Sequence, residues 1–150
     1  MTDWHELVSQ PKYEMKLEED IPIKARDGTQ LWADVYRPDA EGKFPALLSM
    51  SPYGKDTQKL PCPLGASDYT RGTGGHESGM EDYFVTRGYV NVKADVRGVG
   101  NSEGDYLHFG TKWAEDGYDI IEWMAKQPWC DGNVAMLGMS WWGTPQYLVA

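Results

Sequence analysis

Acyl transfer at a serine needs a hydroxyl nucleophile, a base that takes its proton and an acid that orients the base. Two serines stand in glycine-rich settings that could supply the nucleophile. Ser102 lies in Gly100-Asn101-Ser102-Glu103-Gly104, which matches the literal Gly-x-Ser-x-Gly pattern. Ser140 lies in Gly138-Met139-Ser140-Trp141-Trp142-Gly143, where the second glycine arrives one residue late. Pattern alone favours Ser102, and context favours Ser140. A nucleophile elbow is a sharp turn from a strand into a helix that holds the serine hydroxyl above the strand end in a strained conformation. The apolar run Val134 to Leu137 stands just before Ser140, and a helical stretch begins at Trp141. Ser102 stands several residues beyond its strand with no helix pattern behind it. The neighbouring Glu103 carboxylate would also disfavour an alkoxide or oxyanion there. Ser140 is the expected nucleophile, and an ordinary turn serine is the alternative.

The histidines are His5, His76 and His108. His5 falls in an N-terminal arm and is expected in solvent. His76 falls in a long glycine-rich loop, where a surface or pocket-rim role is expected. His108 follows the fourth strand, on the sheet edge where sites form, and from there it could approach Ser140. Enzymes built on such an elbow supply their triad in the chain order Ser, then Asp or Glu, then His. Only ten residues follow Ser140, and none is acidic or a histidine. The catalytic acid and base are therefore expected outside these residues, with His108 as the alternative base, and the 150 residues alone are expected to be inactive. One oxyanion donor is expected from the backbone N–H of Trp141, at the positive end of the new helix. The second is expected from the loop after the third strand, Ser51-Pro52-Tyr53-Gly54-Lys55. The Tyr53 hydroxyl can donate that bond, the alternative being a packed loop aromatic.

The elements that must position these groups are legible along the chain. Residues 1–16 form an irregular arm. Ile21 and Ile23 alternate with polar residues from Glu19 to Ala25, which predicts a half-buried strand. Asp27-Gly28 predicts a hairpin turn into a second strand from Leu31 to Tyr36. Ala46 to Met50 and Val90 to Val96 predict two further strands, separated by a long loop from Lys55 to Gly79 and a short helix from Glu81 to Arg87. Between Lys112 and Lys126, Trp113, Ile120, Ile121 and Met124 share one helix face, and Glu115, Asp119 and Glu122 share another. Asp131-Gly132 predicts a turn, followed by the strand Val134 to Leu137. An antiparallel hairpin ahead of strands that alternate with helices implies parallel strands joined by crossover helices. That order is the N-terminal portion of an α/β-hydrolase fold, with an incomplete sheet. Residues 17–150 are accordingly expected to be a partial domain that stops after the elbow and does not form a stable monomer by itself.

Composition narrows the partners. Lys plus Arg number 14 against 23 Asp plus Glu, a net charge of −9. That balance argues against nucleic acid, which needs clustered positive charge, and dispersed acidic residues are expected to serve solubility. No segment approaches the ~18 apolar residues that would predict a membrane span. Cys62 and Cys130 lack metal-ligand spacing and are expected as reduced thiols in a cytoplasmic chain. The chemistry calls for neither metal nor organic cofactor, and the expected partner is a small-molecule ester or a short peptide.

Four motifs in order carry a resemblance. Trp129-Cys130-Asp131-Gly132-Asn133-Val134 leading into the Ser140 run, the Ser51 to Lys55 loop, and the stretch from Ala94 to Gly104 resemble the cocaine esterase / X-prolyl dipeptidyl-peptidase family of serine hydrolases. The opening from Ile21 to Asp39 looks like that family's N-terminal hairpin. The family elbow is Gly-x-Ser-Tyr-x-Gly, which accounts for the late Gly143, and Trp141 stands where tyrosine is usual. The resemblance implies that Tyr53 is the tyrosine completing the oxyanion hole, and that the stretch from Asp95 to Gly104 is structural. It also implies an Asp, a His, a helical cap and a C-terminal jelly roll beyond these residues. An ester-cleaving or X-Pro-cleaving enzyme is then expected, with a non-catalytic hydrolase-like interaction domain as the alternative.

Overall fold

A computed structural model describes residues 7–59 and 77–150. His5, His76, Cys62 and most of the long loop lie outside the described residues. The chain forms strands β1 (Met15–Lys24), β2 (Gln30–Pro38) and β3 (Phe44–Ser51), then helix α1 (Glu81–Val85) and strand β4 (Val90–Asp95). Helix α2 (Thr111–Ala125), strand β5 (Cys130–Met136) and helix α3 (Ser140–Val149) follow. A short 3-10 turn covers Lys55–Lys59. The strands make one sheet in the order β1-β2-β4-β3-β5. β1 and β2 form an antiparallel hairpin, β2 runs antiparallel to β4, and β3 runs parallel to both β4 and β5. Among the described residues, no helix is long and apolar enough to cross a membrane.

The period of two along the strands sorts residues onto two faces. Leu31, Ala33 and Val35 of β2, Val90, Val92 and Ala94 of β4, and Ala46, Leu48 and Met50 of β3 share the core with Trp113, Ile120 and Met124 of α2. Strand pairing places Asp34, Lys93 and Ser49 side by side across the same three strands, and all three are fully buried. Lys93 pairs with Glu81 at the start of α1. Burial pushes the Lys93 ammonium down to about 7, against the pull of the Asp34 carboxylate.

Two expectations need correction. The acidic residues are not all solubilising surface, because Asp34, Glu81, Asp95 and Asp116 are buried and engage cations or backbone N–H groups. Such a role depends on strand neighbours that are remote in sequence. The Asp131-Gly132 turn also does not precede the last strand but lies within it. The Asn133 N–H donates to Asp131 Oδ1 at 2.9 Å, Gly132 sits at φ +94, and the register with β3 slips between the Phe44 and Ala46 pairs. The turn is absorbed as a bulge, so β5 starts at Cys130 instead of Val134. Cys130 itself is buried and free.

Candidate active site

Because β3, β4 and β5 are parallel, their carboxyl ends share one sheet edge, where α/β folds gather their sites. The Pro52 to Gly54 loop, the long connection from Val96 to Gly110 and the turn from Leu137 to Ser140 all start there.

The last of these is a tight strand-to-helix turn. The Leu137 N–H still donates to Leu48 O at 2.9 Å, and the Met139 N–H donates to Glu77 O at 2.8 Å. Ser140 follows at φ +52 and opens α3. A serine in the left-handed region is strained and persists only where its surroundings over-determine it. Here the turn folds back on its own helix. A Cβ on Gly138 would stand 2.6 Å from Trp142 Cβ and closer still to the Trp142 carbonyl, and one on Gly143 would stand 3.1 Å from Gly138 O. The two glycines are therefore mutual contacts, which gives the five-residue spacing a physical reason. Trp142 is fully buried beneath them, while Ser140 is exposed. Trp141 is the second residue of α3, in the first turn, where N–H groups lack intrahelical acceptors. The N–H groups of Trp142 and Gly143 donate to Met139 O at 2.9 and 3.1 Å.

The loop carrying Tyr53 is anchored at both ends. The Tyr53 N–H donates to Ser51 Oγ at 3.1 Å, and the Lys55 N–H donates to Asp95 Oδ1 at 2.6 Å. The Lys55 ammonium, 1% exposed, lies 3.0 Å from Asp34 and 2.8 Å from Asp20. Burial works against its charge, yet the hydrogen bonds to those carboxylates hold its pKa above the ordinary lysine value. Burial pushes Asp95 in the opposite sense, upward, despite the Lys55 N–H bond. Between these anchors the Tyr53 side chain is about half exposed. It lines an open pocket of about 480 Å³ with Pro52, Gly98, Val99, Tyr106 and Trp141. Tyr53 and Trp141 thus share one pocket, with Ser140 the chain neighbour of Trp141. The Lys55 anchor was not legible in sequence. A lysine in a loop ordinarily points to water, and only the fold brings Asp34 and Asp20 to it.

Ser102 is built differently. Its hydroxyl donates to Asp95 O at 3.1 Å and accepts from the Trp32 N–H at 3.0 Å, and the residue is buried. It ties the loop after β4 to β2, and no helix starts at it, α2 beginning only at Thr111. In the same loop, a Cβ on Gly100 would collide with the Asp95 carboxylate. His108 lies near the elbow, its ring 5.0 Å from Trp141, and its Nδ1 shares a 2.8 Å hydrogen bond with the Tyr106 hydroxyl. Among the described residues, no group of three or more His, Cys, Asp or Glu side chains could hold a metal ion.

Known proteins are similar to this chain in sequence and in fold. Residues 27–150 match the family described as X-Pro dipeptidyl-peptidase (S15 family). Over 131 residues the chain is 36% identical to a cocaine esterase from Rhodococcus sp. (strain MB1 Bresler), covering 87% of this chain and 20% of that protein. A Xaa-Pro dipeptidyl-peptidase from Lactobacillus delbrueckii subsp. bulgaricus is 28% identical over 123 residues, covering 71% of this chain and 14% of that protein. The crystal structure of a CocE/NonD family hydrolase from Staphylococcus aureus superposes with a TM-score of 0.80 at 36% identity, covering 91% of this chain and 25% of that one. The chain therefore spans about a fifth of the length of the cocaine esterase it matches.

Proposed function

The chain belongs to the X-Pro dipeptidyl-peptidase (S15) family of serine hydrolases, and on that premise we propose that Ser140 is the nucleophile of a two-step acyl transfer. Ser140 Oγ attacks the carbonyl carbon of an ester or amide, and its proton passes to a histidine. The bond to the leaving alcohol or amine breaks as that group collects the proton. Water then attacks the acyl-enzyme, releasing the acid and restoring the serine. The Tyr53 hydroxyl and the Trp141 N–H donate to the oxyanion at each tetrahedral stage. In this reading the histidine and its carboxylate partner lie beyond Ala150, and residues 17–150 are the first part of the catalytic domain.

The observation that carries the proposal is the strained Ser140 at φ +52, held at a strand-to-helix turn by the Gly138 and Gly143 packing. A fluorophosphonate probe is expected to label the full-length protein at one site and to leave Ser140→Ala unlabelled. Labelling of that variant at wild-type level would remove Ser140 from the role.

The relatives include both an esterase and a dipeptidyl-peptidase, so the acyl group is the open variable. The walls of the described pocket are apolar or aromatic and carry no charged side chain, their side-chain polar groups being the Tyr53 and Tyr106 hydroxyls and the Trp141 indole N–H. This favours an uncharged acyl ester. Measured side by side on the full-length enzyme, kcat/KM is expected to be higher for an acyl ester than for an X-Pro anilide with a free amino terminus. The reverse order would assign a dipeptidyl-peptidase.

A further inference from the structure

Phe109, in the connection between β4 and α2, sits at φ +53. The left-handed region is costly for phenylalanine, because its Cβ crowds the following carbonyl. The side chain remains 50% exposed, so deep burial does not explain the conformation. What the conformation provides is a ring stack, with the Phe109 ring 5.2 Å from the Trp141 indole and only 27° from parallel. His108 meets the same indole edge-on at 5.0 Å, and Tyr106 holds His108 in turn through the hydroxyl contact to Nδ1. Below them lies Trp113 of α2, fully buried and in ring contact with Tyr106, His108 and Phe109. A continuous path of aromatic contacts therefore runs from the core to the residue that follows Ser140. Phe109, in the left-handed region, thus stacks on the indole of the residue that follows Ser140, itself in that region.

We infer that Phe109 and His108 are positioning residues that clamp the Trp141 indole and, through it, fix the backbone N–H that follows the nucleophile. The inference rests on the reading of Ser140 and Trp141 proposed above. An oxyanion donor is effective only while it stays aimed at the point where charge develops. The first turn of α3 has few internal hydrogen bonds to hold it there. A clamp on the side chain restricts both the Trp141 rotamer and the tilt of its peptide plane. Neither clamping residue needs to touch the substrate.

Phe109→Gly separates this role from folding, because glycine removes the ring and relieves the left-handed strain together. On full-length protein with p-nitrophenyl acetate as the probe, kcat is expected to fall about tenfold, KM to stay within about twofold, and Tm to hold or rise. Phe109→Tyr keeps the stack and is expected to restore kcat. An unchanged kcat, or a rise in KM alone, would overturn the inference, the latter by making Phe109 a substrate contact. Should Phe109→Gly lose Tm instead, His108→Ala leaves the loop backbone as it is and is judged by the same criteria. Ser140→Ala run in parallel keeps the two readings apart. An inactive Ser140→Ala beside a fully active Phe109→Gly defeats only the clamp, whereas an active Ser140→Ala defeats both.

Discussion

Tyr53 stands between two fixed points, the Ser51 hydroxyl before it and the Lys55 N–H bond to Asp95 after it. Loss of its hydroxyl alone is therefore expected to leave the loop in place. If that hydroxyl serves the oxyanion, Tyr53→Phe lowers kcat by about 10²-fold with little change in KM, the cost of removing one preorganised donor. Steady-state kinetics on an ester substrate check this, and an unchanged kcat would return Tyr53 to the role of a loop aromatic. At Gly138 the expected effect is structural. A methyl group there meets Trp142, so Gly138→Ala opens the elbow and costs on the order of 3 kcal/mol of stability through overpacking, read as a fall in the denaturation midpoint. Much at this scale was legible in sequence, because a strand, a strained serine and closely packed glycines leave a local signature around residues 134–143. Phe109 and Lys55 left no such signature. The Phe109 ring stacks on Trp141 and the Lys55 ammonium meets Asp20 and Asp34, all remote in sequence, and a ring stack or a buried ammonium has no local pattern to announce it.

At the scale of elements, the hairpin and α2 are joined by charge. Arg97, just past β4, holds Asp116 of α2 through a bidentate pair at 2.8 and 2.6 Å and reaches Asp27 of the hairpin turn at 3.0 Å. Arg26 of that turn donates to Asp119, one helical turn further along α2. The Arg97 and Asp116 side chains are 9% and 1% exposed, so breaking this pair leaves a buried guanidinium with Asp27 as its remaining carboxylate partner. Asp116→Asn is expected to cost about 3 kcal/mol, measured as a shift in the urea midpoint of the full-length protein. The hydrophobic period foretold α2 to within one residue at each end, since its apolar stripe spans three turns. It could not foretell Asp116 on the buried side, because polarity argues against such a position until Arg97 is placed opposite. The β5 boundary was missed for a related reason. A turn pair inside a bulge looks the same in sequence as a turn between elements.

For the whole molecule, the acidic excess acts through individual partners. Hydrogen bonds from Arg37 hold the Glu18 carboxyl below its ordinary value of 4.5, and those from Arg26 hold Asp119 below 3.8. A carboxylate whose pKa is lower when folded stabilises the fold above its unfolded value, and that contribution is lost as pH falls through the folded value. Stability is therefore expected to decline below about pH 4.5, with Asp119→Asn making the decline shallower. Urea midpoints of the full-length protein between about pH 6 and pH 3 test the sign. Asp95 works the other way, since burial raises its pKa and the folded state favours its protonated form. It offsets part of the acid loss.

The strand order β1-β2-β4-β3-β5 also carries a consequence for the chain as it leaves the ribosome. The hairpin of β1 and β2 can close as soon as it emerges, because both of its strands are adjacent in sequence. β3 has no such neighbour. Its two partners are β4 and β5, and residues 52–89 must be made before the first of them exists. Until then an apolar strand with both edges unpaired is exposed, and unpaired edges of this kind invite pairing with other chains. During synthesis, the interval between β3 and β4 is thus a stretch in which this sequence is open to pairing with other chains.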